Sequence, residues 1–178
     1  LTKGRFDVIR RNVITAVLLA GILAAGGLFD GAQCQHRIGG GIHYLRTLGS
    51  IKDNPGWDPN SVGFMVSYQY VFGSVRLEGD LEWVPDFGGS DKTMFQPQAW
   101  LLLGKMIYLS AGIGGSYVDG DWFDNPFYGL RAGVNLTLIG LNFDGFTSYR
   151  FQSSNVFENV DEQDLDALTF GALVRVEF

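Results

Sequence analysis

The stretch from Val75 to Trp83, VRLEGDLEW, carries two chemistries on one piece of chain. Val75, Leu77, Gly79, Leu81 and Trp83 make one alternate row; Arg76, Glu78, Asp80 and Glu82 make the other. A period of two belongs to a β-strand, whose successive side chains leave opposite faces of the sheet. Such a strand needs an apolar medium on one side and compensating charge or water on the other. From Arg37 onward the chain repeats this theme: about ten residues of alternation, then a turn or a loop. Strands are predicted near Arg37 to Arg46, Ser61 to Tyr70, Val75 to Val84, Thr93 to Leu103, Met106 to Tyr117, Phe127 to Leu138, Leu141 to Phe151 and Ala167 to Phe178, eight in all.

The connections alternate in length. VFGS, GK and IG are tight hairpin signals between strands two and three, four and five, and six and seven. The remaining connections, TLGSIKDNPGWDPN, PDFGGSDK, VDGDWFDNP and QSSNVFENVDEQDLD, are long and polar. An even-stranded antiparallel up-and-down meander with short turns at one end and long loops at the other predicts an all-β fold, an eight-stranded transmembrane β-barrel.

Alternation alone does not say which row points inward, because a soluble exported lipid-binding barrel has the same period in the opposite sense. Five features place the apolar row outside. The polar row is rich in Gly, Ser, Thr, Asn and Gln, groups small enough for a narrow lumen. Lysine, the usual residue of a wet exterior, is limited to Lys3, Lys52, Lys92 and Lys105. Aromatic residues gather near strand ends, as Tyr44, Tyr70, Phe72, Trp83, Tyr117, Phe127, Phe151 and Phe178, where amphipathic rings meet a membrane interface. The loop lengths alternate, and the chain opens on an export signal. A strand of about ten residues rising about 3.3 Å each and tilted about 40° covers about 25 Å, the height of the apolar band in such membranes.

With that sense, Arg76, Arg131, Arg150 and Arg175 face Glu78, Asp80, Glu82, Asp144 and Glu177 across the lumen. Buried charges are costly unless paired, so a cross-lumen network of Arg and carboxylates is expected to plug the barrel. The alternative is that the same charges line a narrow conducting path.

Lys3, Arg5, Arg10 and Arg11 precede the apolar run VITAVLLAGILAAGGLF, the layout of a secretory signal peptide. The expected division is a signal peptide over 1–34, cleaved after Cys34 or after Gly26, and a barrel domain over 35–178. Cys34 is the single cysteine, which excludes an intrachain disulfide and a cysteine metal site.

The eight alternating strands and the final stretch LTFGALVRVEF, with Phe178 behind Val176, Val174 and Ala172, carry a resemblance. The chain resembles the small bacterial outer-membrane β-barrel proteins, of OmpA/OmpX type in the broad sense, over Arg37 to Phe178. It departs from them by carrying Arg175 where an aromatic is usual and Gly171 farther back. The resemblance implies a Gram-negative outer membrane, termini in the periplasm and long loops outside. It also implies outer-membrane lipids and lipopolysaccharide as surroundings, and a barrel assembly machinery that reads Phe178, Val176 and Val174 as its signal.

No catalytic constellation, metal site or cofactor is expected. His43 lies on the polar row, as a lumen hydrogen-bonding residue, and His36 at the exposed start of the barrel. No long loop contains a His, so the general base for rim chemistry is missing and no enzyme activity is expected. The loops are strongly acidic, with Asp53, Asp58, Asp86, Asp91, Asp119 and Asp121 among them, against Lys52 and Lys92. Such loops repel phosphate backbones and exclude nucleic acid as a partner. DGDWFD does not match a full calcium loop. Gly39 to Gly41, inside a strand, are read as room for side chains that cross the lumen. Pro97 predicts a bulge or frayed edge in the fourth strand. The expected role is structural or surface-interacting, with a narrow channel or a small-ligand transporter as the alternative.

Overall fold

The computed structural model describes residues 34–48, 56, 58–123, 125–154, 163–164 and 166–178. The chain divides into residues 1–33 and Cys34–Phe178. The expected signal peptide lies outside the described residues, except that Cys34 opens the first strand.

Eight long strands make the fold: β1 Cys34–Thr47, β2 Asn60–Phe72, β3 Val75–Val84, β4 Met94–Leu103, β5 Ile107–Gly114, β6 Phe127–Leu138, β7 Leu141–Phe151 and β8 Ala167–Glu177. Each pairs antiparallel with its neighbours in chain order, and β8 returns to β1 in a register running from Arg37↔Glu177 to Thr47↔Ala167. The sheet closes on itself. Closure matters because hydrocarbon offers no partner to an open strand edge.

At one end lie the short turns Gly73–Ser74, 104–106 and Ile139–Gly140. Gly73 and Gly104 supply φ of 66° and 123°; Ile139 and Gly140 hold 51° and 75°, the pair of positive values that a tight hairpin requires. The long connections lie at the other end. Two of them add short ribbons, Tyr117–Val118 with Asp121–Trp122, which extends from Met94–Phe95 of β4, and Ser153–Ser154 with Gln163–Asp164.

The apolar row faces outward on every strand. Val62, Phe64 and Val66 on β2, Leu77 and Leu81 on β3, Ile107 and Leu109 on β5, Leu130 and Val134 on β6, and Val174 and Val176 on β8 are exposed. This sense is opposite to that of a soluble carrier and removes that alternative. Around the long-loop end, Tyr44, Phe64, Trp83, Phe95, Trp122, Phe151 and Phe170 form an outward aromatic girdle.

Inside, bulk alternates with glycine from strand to strand. Gly63 pairs with His43, His43 with Gly171, Gly171 with Phe146, Phe146 with Gly133 and Gly133 with Tyr108. Likewise Trp100 pairs with Gly112, and Gly112 with Gly129. A Cβ at Gly133 would come 2.5 Å from the Tyr108 ring, and one at Gly129 would come 2.6 Å from the Trp100 indole. An eight-stranded interior is only as wide as its side chains, so each large group needs a neighbour of almost no volume.

Two expectations are corrected. A Cβ at Gly39 or Gly41 would collide with the carbonyl oxygen of Val174 or Ala172. These glycines therefore allow close backbone approach at the β1–β8 seam and do not make room for crossing side chains. Of the bulge or frayed edge expected at Pro97, the bulge is absent, since the β3–β4 register runs past it unshifted, whereas the ladder on the β5 side is interrupted at Gln96 and Pro97. The N–H and C=O of one residue in an antiparallel strand point to the same neighbour, and the Pro97 carbonyl accepts from Gly115 N at 3.0 Å. The missing donor thus falls on the β5 side, where β5 stops at Gly114 and pairing resumes at Tyr117.

Gly133→Val should lower barrel stability by about 1–3 kcal/mol, because the Tyr108 ring occupies the space of the new side chain. Urea unfolding of the barrel in lipid vesicles, followed by tryptophan emission, would measure it.

Candidate functional site

The most concentrated chemistry lies in the lumen, and β3 is its source. With Leu77, Leu81 and Trp83 fixed to the outer face, the pleat drives Arg76, Glu78, Asp80 and Glu82 inward, and all are buried. Glu78 is the hub. Its Oε1 accepts from Arg131 Nη1 at 2.6 Å, and its Oε2 accepts from Arg175 Nη2 at 2.6 Å and Gln69 Nε2 at 2.6 Å. Arg131 also reaches Asp80 at 3.2 Å, and Arg175 reaches Asp144 at 2.8 Å and Ser67 Oγ at 2.9 Å. The Tyr108 hydroxyl donates to Asp144 at 2.9 Å. A single chain of charge-assisted bonds thus joins β3, β6, β8, β7 and β5 across the hollow.

Two further groups lie above and below it. Toward the short turns, Arg37 pairs with Glu177 at 2.7 Å and donates to Gln69 at 3.1 Å, beside the reciprocal amide bonds of Asn135 and Asn142. Toward the long loops, Arg150 pairs with Glu82 and donates to Gln96 at 2.6 Å, and Gln96 donates in turn to Ser116 at 2.7 Å. Four arginines, at 37, 131, 150 and 175, therefore pair with five carboxylates, at 78, 80, 82, 144 and 177, and a fifth arginine, at 76, is buried in the same lumen. Arg37 is the member that the sequence reading missed. It opened a predicted strand and sits on the same odd-numbered row as His43, which was the available signal.

The structure brings together every residue of the expected lumen charge network except one. Arg76 is buried, yet none of its three nitrogens has a hydrogen-bond partner among the described residues, and its guanidinium lies 4.6 Å from the centre of the Tyr108 ring. His43 differs too. Its ring makes no hydrogen bond among the described residues, and its Nε2 stands 3.8 Å from Glu82, too far for one. His36 is half-buried, not exposed: its Nδ1 lies 2.6 Å from the Tyr68 hydroxyl and its ring stacks on Phe178.

Much of the filling is apolar. Met65, Trp100, Leu102, Tyr108, Phe146 and Leu173 form one inward cluster, and Arg131 is held between Trp100 and Phe146, 4.1 and 4.3 Å from the ring centres. A second cluster, Leu45, Val84, Phe87, Met94 and Ala167 with Val118 and Phe123, covers the long-loop end. Beneath it a cleft of about 20 Å³, room for one water, is floored by Gln96 and Arg150. The carboxylates of Glu78, Asp80, Glu82 and Asp144 and the guanidinium groups of Arg131 and Arg175 are at or near zero exposure.

Among the loop acids, Asp58, Asp86, Asp91, Asp119 and Asp121 are exposed, and Lys92 meets Asp119 at 3.0 Å. Asp53, Asp124, Glu158, Asp161 and Glu162 lie outside the described residues.

A closed barrel of eight strands, greasy outside and ionic within, defines the chain as a transmembrane β-barrel. Its likeness to solved structures is one of fold. The crystal structure of the Neisserial surface protein A matches with a TM-score of 0.59 at 15% identity, over 84% of this chain and 100% of that one. The outer membrane protein AlkL matches with a TM-score of 0.44 at 10% identity, over 84% and 92%. Ail, the attachment invasion locus protein of Yersinia pestis, matches at 0.41 and 16%, over 80% and 99%. No protein-family model matches the chain, and neither does any curated protein.

Arg131→Met should cost about 3–5 kcal/mol, since it strands Glu78 and Asp80 in a water-poor interior, whereas Arg76→Met should be neutral or stabilising. Equilibrium unfolding of the two variants side by side would check the ordering.

Proposed function

We propose that this chain is an integral protein of the bacterial outer membrane whose lumen is sealed and whose role is structural or surface-interacting. The observation that carries the reading is the chain of ion pairs from Asp80 through Arg131, Glu78 and Arg175 to Asp144, at near-zero exposure and packed between apolar side chains. An ion path needs water or mobile ligands along the axis, and here the five groups of this chain are bonded to one another. The apolar outer belt supports the membrane location, and the exposed acids at the long-loop end support presentation of a negatively charged surface. Outward exposure of Phe178, Val176 and Val174 on the last strand supports their use as an assembly signal. Lipopolysaccharide is the lipid the loop end would meet, with divalent cations bridging its phosphates to the loop acids. Among the described residues no grouping of side chains supports a catalytic role.

Membrane fractionation should leave the protein in outer-membrane fractions, with faster migration of unheated samples on detergent gels. Purified protein in planar bilayers should give no resolved single-channel steps; steady steps that vanish on heat unfolding would overturn the sealed lumen. Phe178→Ser should reduce the amount of folded barrel in membranes without changing synthesis, as read from the ratio of the two gel bands.

A further inference from the structure

The three short turns do not end the barrel alike. On the β8–β1–β2 side the outward row finishes in interface side chains: His36, Tyr68, Tyr70, Phe72 and Phe178 lie in one aromatic cluster, with ring centres 5.1 to 6.1 Å apart. The adjoining β2–β3 turn is Gly73–Ser74. Across the barrel the row finishes in bare aliphatic groups. Ile107 and Leu109 run down β5 to Met106, which is 56% exposed, and Leu136 and Leu138 run down β6 to Ile139.

Ile139 is the most telling residue. Its φ is 51° and its side chain is wholly exposed, at 103% of the reference area. A β-branched residue in the left-handed region is strained, and Asn or Gly would hold this turn more cheaply. Full exposure of the same side chain to water would add a second cost. The backbone strain is the same in any medium, but the cost of exposure falls if the medium around the turn is apolar.

We propose that the β4–β5 and β6–β7 turns are immersed in the lipid of the leaflet they face, so that the hydrocarbon boundary lies lower on the β5–β7 side than on the β8–β1–β2 side. Three observations favour lipid over a protein partner. The turn tips continue the membrane belt along β5 and β6 with no polar residue in the outward row. The polar side chains exposed at the tips are Lys105 and Thr137, too few to make the polar rim of a protein interface. Lys105, exposed beside Met106, has the length to carry its ammonium from an immersed stem to a lipid phosphate. The aromatic cluster opposite marks where the interface lies on that side.

The inference rests on the membrane reading above, and the test separates the two. In a Cys34→Ser background, single cysteines replace Leu109 in the belt, Ile139 in the turn and Ser74 in the polar turn, and each carries an environment-sensitive fluorophore. Each variant is first required to show the fast-migrating folded band, and Met106→Cys takes the place of Ile139→Cys if that band is missing. The labelled proteins are placed in phosphatidylcholine vesicles with acyl-chain bromine as the lipid quencher and iodide as the aqueous one. The labels at 109 and 139 should lose most of their emission to the brominated lipid and resist iodide, and the label at 74 should do the reverse. Iodide quenching at 139 with lipid quenching at 109 would overturn the immersion and leave the membrane barrel standing. Iodide quenching at 109 would overturn both. A label at 139 shielded from both quenchers would overturn lipid contact in favour of a protein cover.

Discussion

The structure depends on the compensation of one buried carboxylate. Glu78 sits in a hollow from which bulk water is displaced, and it is held by two guanidinium groups and one amide from three other strands. Ion pairs of this kind contribute little net stability against a well-packed apolar filling, because desolvation offsets most of the attraction. Their influence lies in the large cost of any arrangement that separates the partners. Arg131 meets Glu78 and Asp80 only when β3 and β6 are at their observed heights, so a two-residue slip of any intervening ladder would leave charge uncompensated. Apolar rows do not distinguish such a slip, since Val, Leu and Ile follow one another along the outer face. The ionic interior therefore fixes the register that the lipid-facing exterior leaves degenerate.

Packing in the lumen obeys a second rule, which works with the first. Glycines opposite Tyr108, Phe146, Trp100 and His43 let rings lie flat against the wall, and the rings in turn flank the guanidinium groups. An aromatic face attracts a guanidinium through its quadrupole, so arginine can be buried without a full set of carboxylates. Arg76 stands at the limit of that arrangement, with a ring for a neighbour and no hydrogen-bond acceptor among the described residues.

The fold was legible because its rule is local. Val75–Val84, Phe127–Leu138 and Leu141–Phe151 begin and end where the period of two begins and ends, and a turn signal stands next to each. The membrane sense was legible from the row chemistry. Pairing in the lumen was legible only in part, because alternation says that a side chain points inward and not which of seven other strands it meets. Arg37 was missed at a strand edge, and Arg76 was assigned a partner that geometry does not give it. Met65, Trp100, Phe146 and Leu173 lie on the polar row, where rank by polarity hides them, although parity alone would have placed them inside. Cover from Phe87 and Phe123 depends on how loops fold back, which no periodicity encodes.

The distribution of bonds around the axis bears on how the molecule is made. No acid on β3 finds its arginine on β2 or β4; each waits for β6, β7 or β8, which are synthesised later. A leading hairpin of β2 and β3 would bring Glu78, Asp80 and Glu82 into hydrocarbon without an arginine, with only Gln69 on β2 to meet Glu78, at a cost of a few kcal/mol for each charge. The three acids of β3 are thus compensated only in a sheet that β6, β7 and β8 have already joined, which favours entry into the oil as a curled whole over entry strand by strand.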